Sequence, residues 1–221
     1  MAGAPPNPAE LDFVITPPTS GLEVHRRQGY DLHVRSSEAP VPLAVLVHGP
    51  IAGGARPREW PVYRGYASLV ANSGLAAAIV DLDYTDFRAL AEPAAQLERV
   101  VEAARREAVV DAERVVLWAF SAGALLVGRW LEEPPPWSRG VALTYPVAPA
   151  VTRVRTPVVL TRVGLERPEV QATVDRLLSL APGAEVIHVD TGQHGFDFLD
   201  HNEESRRAVT TAAGAVGRLL A

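Results

Sequence analysis

The sequence predicts an α/β protein with one mostly parallel central sheet and helices on both of its faces. Three observations carry that prediction. Short, solid apolar runs recur along the chain, as expected of strands buried on both faces. Segments with helical apolar spacing alternate with them, which is the pattern of βαβ units with right-handed crossovers. No linker, repeat or low-complexity tract divides the 221 residues, and one domain of this length buries roughly 70% of its unfolded surface.

Residues 1–10 are Pro-rich and read as a loose segment, so residues 11–221 form the single expected domain. Residues 11–16 and 30–35 alternate apolar with polar, as half-buried edge strands do. The solid runs follow: 43–47, ended by His48-Gly49-Pro50; 76–80, ended by Asp81-Leu82-Asp83; 115–119; 141–143; 158–160; and 186–189. Between them, residues 61–72 place Val62, Tyr66, Leu69 and Val70 on one helical face, with Ser73-Gly74 suited to the C-terminal cap. Pro93 opens a second helix, with Leu97, Val100, Val101 and Ala104 as its stripe. Residues 122–131, 168–180 and 205–220 complete the helical set, and Pro134 to Pro136 end the first of these three.

Composition narrows the function. Lys and Arg total 21 and Asp and Glu 26, a net charge of −5, which gives no electrostatic reason to seek nucleic acid or an anionic membrane. Every basic side chain is Arg. Cysteine is absent, which excludes disulfides, thiolate metal sites and a cysteine nucleophile. No apolar run approaches the roughly 18 residues that span a bilayer, and the N-terminus lacks the basic and apolar regions of a signal peptide. The expectation is a soluble cytoplasmic protein. Gly53-Gly54 lacks the Gly-Lys-Ser/Thr of a phosphate loop. Asp81, Asp83 and Asp86 lack partner ligands at metal spacing and read as a solvated loop. Neither a cofactor nor a metal is expected. Trp60, Trp130 and Trp137 read as core or cover rather than as a binding site.

The segment richest in chemistry is Val115-Val116-Leu117-Trp118-Ala119-Phe120-Ser121-Ala122-Gly123-Ala124. A buried strand runs into a helix with a serine at the corner and small residues around it. A tight turn there lifts the hydroxyl above the sheet edge, and the helix start favours a developing oxyanion. A plain N-cap serine is the alternative; the strand before and the helix after favour a nucleophile.

This segment resembles the nucleophile elbow of the α/β-hydrolase superfamily, Gly-x-Ser-x-Gly, with Ala119 in place of the first glycine. Leu46-Val47-His48-Gly49 resembles that superfamily's His-Gly before the oxyanion loop. Asp111-Ala112-Glu113-Arg114 resembles the turn before the elbow strand. Gln193-His194-Gly195-Phe196 resembles the late histidine loop of dienelactone-hydrolase-like members. The likeness runs from residue 43 to the C-terminus. It implies a single-domain α/β-hydrolase fold without a large cap domain, and a serine hydrolase or carboxylesterase acting on a small organic ester.

The resemblance also implies the order Ser, acid, His. A serine needs a base to take its proton, and His188, His194 and His201 follow Ser121. His188 lies within an apolar strand and reads as a core residue, and His201 lies in an acidic stretch. His194, in a loop between the last strand and the last helix, is the expected base. Glu166 occupies the family's acid position, with Glu169 and Asp190 in reserve. The backbone N–H of Ala122 is one expected oxyanion donor. Pro50 has no N–H to offer, so the second donor is expected at Ile51 or later, within Ile51-Ala52-Gly53-Gly54. Residues 53–60 and 84–92 are expected to form the pocket rim. The same triad could serve a lyase, a cofactor-free peroxidase or an acyltransferase, and a ligand-binding member without turnover is a further alternative. Oligomeric state is left open.

Overall fold

The computed structural model of the chain describes residues 8–51 and 56–221. Of the segment read as loose, residues 1–7 lie outside the described residues, and Pro8–Glu10 form one 3-10 turn. In chain order the strands are β1 (Leu22–Arg27), β2 (Tyr30–Arg35), β3 (Val41–Val47), β4 (Ala76–Val80), β5 (Val110–Phe120), β6 (Ser138–Thr144), β7 (Val158–Val163) and β8 (Glu185–Val189). The helices are α1 (Pro61–Asn72), α2 (Ala91–Arg105), α3 (Gly128–Glu132), α4 (Pro168–Leu180), α5 (Phe196–Leu199) and α6 (Glu203–Leu220). The strands form one sheet in the order β1-β2-β4-β3-β5-β6-β7-β8. β2 runs antiparallel to both neighbours, and every pair from β4 to β8 is parallel.

The apolar runs form strands because both of their faces are covered. In β3, Leu43, Val45 and Val47 face a core built with Leu97 and Val101 of α2, Leu131 of α3, and Val174 and Leu177 of α4. Ala44 and Leu46 face the opposite core, with Tyr66 and Val70 of α1 and Val209, Ala212 and Val216 of α6. That division is the two-residue side-chain period of a strand. The second core has an aromatic centre: Tyr66 lies 4.8 Å from Phe13, 4.9 Å from Trp118 and 4.8 Å from Phe120 between ring centroids. Each such pair adds about 0.5–1.5 kcal/mol beyond area burial.

Four expectations are corrected. Residues 11–16 form no strand; Phe13 and Val14 are buried against the second core instead, so their alternation reflects packing rather than pairing. The N-terminal edge strand is β1, whose Glu23, His25, Arg26 and Arg27 dilute any apolar signal, and β2 is interior and almost wholly buried. The helix expected over 122–131 is a 3-10 run, Ser121–Val127, followed by the short α3. His188 is exposed on β8, the other edge, rather than in the core. No helix among the described residues is long and apolar enough to cross a membrane.

Candidate active site

Ligand sites of open α/β sheets lie beyond the carboxyl ends of the parallel strands, and four segments meet there. β3 leads into His48-Gly49, β5 into Ser121, β7 into the loop holding Glu166, and β8 into the loop holding His194.

Ser121 has φ +54°, a left-handed conformation that costs a non-glycine residue about 1–3 kcal/mol and persists only where its surroundings enforce it. Gly123 is part of that enforcement. A Cβ there would lie 2.5 Å from the Val47 carbonyl oxygen and 2.6 Å from that of His48, so any side chain would drive the turn off the end of β3. In a 3-10 helix the first three N–H groups have no acceptor within the helix. Ala122 belongs to that set and borders the cavity beside Ser121.

The acid and histidine loops are joined through their backbones. Gly164 N–H donates to the Val189 carbonyl (2.9 Å) and Leu165 N–H to that of Gly192 (2.9 Å), which extends the β7–β8 pairing past the strand ends. Gly164 approaches Asp190 so closely that a Cβ would stand 2.0 Å from its carbonyl oxygen. Gln193 is held by Asp200 through its backbone N–H (2.9 Å) and its side-chain amide (2.7 Å).

These constraints bring three of the expected residues together. The Ser121 hydroxyl lies 2.7 Å from His194 Nε2, and His194 Nδ1 is hydrogen-bonded to Glu166 Oε2. Because a carboxylate only accepts, Nδ1 carries the proton, and Nε2 is left to accept from the serine. The Glu166 side chain is 5% exposed, and its other oxygen accepts the Arg167 N–H at 2.9 Å. The two reserve acids stand apart. Glu169 is exposed and 3.9 Å from Arg167, and exposed Asp190 has its N–H on Glu204 (2.7 Å). His201 is exposed as well.

The expectation for Ile51 is corrected. Its N–H donates to the Tyr84 carbonyl at 2.7 Å, so it is committed to the loop and not free for an oxyanion. Ala52, Gly53 and Gly54 lie outside the described residues. His48 has a structural place. Nε2 accepts the Leu82 N–H (3.0 Å), so Nδ1 donates to the Gly49 carbonyl (2.6 Å). Burial pushes this imidazole down to about 4, which keeps it neutral.

A cavity of about 440 Å³ opens above Ser121. Trp60, Val62, Tyr63, Leu125, Val147 and Phe198 give it apolar walls, Phe87 stands at its mouth, and Arg167 is the charged residue on its lining. Trp60 therefore faces the cavity, while Trp130 is buried in the core and Trp137 stacks under the Arg105 guanidinium at 4.3 Å. The expected rim supplies Trp60 and Phe87; the wall from Val147, Arg167 and Phe198 was not foreseen. Asp81 pairs with Arg58 (2.9 Å), Asp83 accepts from Gln96 (3.0 Å) and Asp86 from the Arg88 N–H (2.9 Å).

The sequence points to neither Tyr145 nor Asp197, and it places Tyr84 on the expected rim without its tying role. The Tyr84 hydroxyl donates to the Ala122 carbonyl (3.1 Å) while its own carbonyl holds Ile51, so one residue ties the oxyanion loop to the serine turn. Tyr145 packs its ring 4.9 Å from the His194 ring. Asp197 is buried beneath them. Its one sequence signal is an acid inside the apolar stretch Phe196-Asp197-Phe198-Leu199.

The architecture is that of the α/β-hydrolase fold. A thermostable esterase from Pseudomonas putida ECU1011 superposes with a TM-score of 0.73 at 15% identity, over 94% of this chain and 86% of that one. An esterase from Pyrobaculum calidifontis superposes with 0.71 at 15% identity, over 93% and 88%, and the esterase Est22 with 0.70 at 15%, over 91% and 82%. No protein-family model and no curated protein sequence matches the chain.

Proposed function

We propose that this protein is a serine hydrolase that cleaves carboxylic esters of small, largely apolar organic substrates through an acyl-enzyme. The observation that carries the reading is the run of hydrogen bonds from Ser121 Oγ to His194 Nε2 and from His194 Nδ1 to Glu166, at the floor of an apolar cavity. Its fold neighbours named as esterases support the same chemistry.

In this mechanism Ser121 Oγ attacks the ester carbonyl as its proton moves to His194 Nε2. Glu166 holds the ring in the required tautomer and stabilises the imidazolium. The Ala122 N–H receives charge developing on the carbonyl oxygen. Collapse of the tetrahedral intermediate expels the alcohol, which takes the proton from Nε2. Water then gives its proton to the same nitrogen and attacks the acyl-serine, and collapse releases the acid as Ser121 Oγ takes that proton back from Nε2. The Gln193-His194-Gly195-Phe196 loop favours a dienelactone-hydrolase-like subtype, and an uncharged small ester in the cytoplasm completes the reading.

Intact-mass measurement after treatment with a fluorophosphonate tests it. One phosphonyl adduct is expected on the wild type and none on Ser121→Ala. Hydrolysis of p-nitrophenyl esters of graded acyl length then separates turnover from inert binding. Labelling without ester turnover would overturn the esterase reading in favour of another use of the same serine.

A further inference from the structure

Asp197 has no solvent exposure, yet the mechanism above does not use it. Burying a carboxyl is costly unless its charge is well met, and a fold could fill this volume with a neutral residue. Its partners are specific. The Tyr145 hydroxyl donates to both carboxyl oxygens, 3.0 Å from each, and the Tyr66 hydroxyl to Oδ2 at 3.0 Å. All three contacts come from donors, which suits a carboxylate, an acceptor only.

The two tyrosines lead to different places. Tyr66 runs from Asp197 into the aromatic core, against Phe13, Trp118 and Phe120. Tyr145 runs to the active site: its ring lies 4.9 Å from the His194 ring, and its backbone sits at φ +37° with the N–H on the Thr161 carbonyl (2.9 Å). One continuous path of contact therefore joins Asp197, the Tyr145 hydroxyl, the Tyr145 ring and the imidazole.

We infer that Asp197 is a positioning residue for the hydrolytic reaction: through Tyr145 it holds the wall on which the His194 ring rests, keeping Nε2 at Ser121. The inference deepens the proposed function and rests on it for the role of His194. Charge at Asp197 adds a pH dependence. Burial pushes its carboxyl up to about 7, against the pull of the Tyr145 and Tyr66 hydroxyls, and Asp200 pushes the same way as burial. The other ionisable group facing it is Tyr63 of α1. Below neutrality the carboxyl gains a proton, one oxygen ceases to be a simple acceptor, and the hold on Tyr145 slackens.

The test compares Asp197→Asn, Tyr145→Phe, their double variant and Tyr66→Phe. With a short-chain p-nitrophenyl ester, each of the first two should lower kcat by about tenfold with KM within about twofold, as expected when a reacting group is slightly misplaced. The double variant should be no worse than the poorer single, because the pair acts as a unit. Tyr66→Phe should stay within about twofold. Between pH 6 and 8, Asp197→Asn should lose one acidic component of the wild-type kcat profile. A readout without substrate is the downfield NMR signal of the His194 Nδ1 proton. It should broaden in Asp197→Asn and Tyr145→Phe and persist in Tyr66→Phe. Unchanged kcat and an unchanged signal in both path variants would overturn the inference. So would equal losses in all three single variants, which would mark a purely structural network. If no variant, wild type included, hydrolyses ester, the proposed function fails and the imidazole signal alone decides the positioning role.

Discussion

The wall of the cleft that carries Ser121 is held mainly by backbone, whereas the wall that carries His194 adds several side-chain holds to its backbone pairing with the acid loop. Ser121 stands at the end of an interior strand, its conformation enforced by the close approach of Gly123 to two carbonyls. His194 stands on a loop at the sheet margin, positioned by Glu166, Tyr145 and the Asp200 clasp on Gln193. A backbone constraint is all or nothing. A side-chain constraint can be weakened one atom at a time, so the His194 wall is where rate is tunable.

Mutations can break that contrast. The largest expected effect is chemical: Ser121→Ala and His194→Ala should each reduce ester turnover by on the order of 10⁴–10⁶, and combining them should add little. Thermal melting of Ser121→Ala should match the wild type, because the hydroxyl's hydrogen bond is to the part-exposed imidazole of His194 rather than to the core. Glu166→Gln, which keeps the shape but not the charge, should cost on the order of 10²–10⁴ in kcat with little change in Tm. Residual activity at wild-type level in Glu166→Gln would move the acid elsewhere.

Gly123→Ala and Gly164→Ala test the two walls by the same chemistry. Forcing a methyl into either contact costs about 1–3 kcal/mol or more, which is ~2–4 °C in Tm per kcal/mol for a chain of this size. Gly123→Ala should lose both turnover and fluorophosphonate labelling, because the nucleophile itself moves. Gly164→Ala should lose mainly the rate, because the displaced group is the acid. Equal labelling by both variants would erase the distinction between the walls.

The smallest expected effect is on stability against pH. Asp197 has its carboxyl raised from the ordinary 3.8 to about 7, so the unfolded chain gives up this proton before the folded one does. Its contribution therefore declines as pH rises from about 4 to 7. His48, lowered to about 4 by burial, acts in the opposite sense, its contribution declining as pH falls from about 6.5 to 4. Melting curves should show Asp197→Asn gaining on the wild type by a few degrees between pH 4 and 7. A constant gap across that range would mean that Asp197 keeps its charge throughout.

Much of this was legible in the sequence, and the reason differs by element. The interior strands were readable because burial on both faces leaves uninterrupted apolar runs, as in residues 43–47 and 76–80. Ser121, His194 and Glu166 were readable as residue types in an order, and the structure brings these three together. β1 was not, because an edge strand can be charged on most positions and its pairing with β2 is a backbone matter. Ile51 was misread because an N–H is visible in the sequence but its acceptor is not, and here the acceptor is the carbonyl of a residue 33 positions later. Tyr84, Tyr145 and Asp197 act through contacts between distant elements, for which one sequence carries no period or motif.

The free margins of the sheet have a bearing on how the molecule behaves among its own copies. An unpaired edge is a template on which another chain can lay a strand. At β1 such a chain would meet Glu23, His25, Arg26 and Arg27, whose hydration and charge oppose close stacking. At β8 the run is five residues long, with exposed Glu185 anchored by Arg218 at 2.6 Å and exposed His188 beside it. Both borders thus carry polar side chains, which disfavour the addition of a further strand to the sheet.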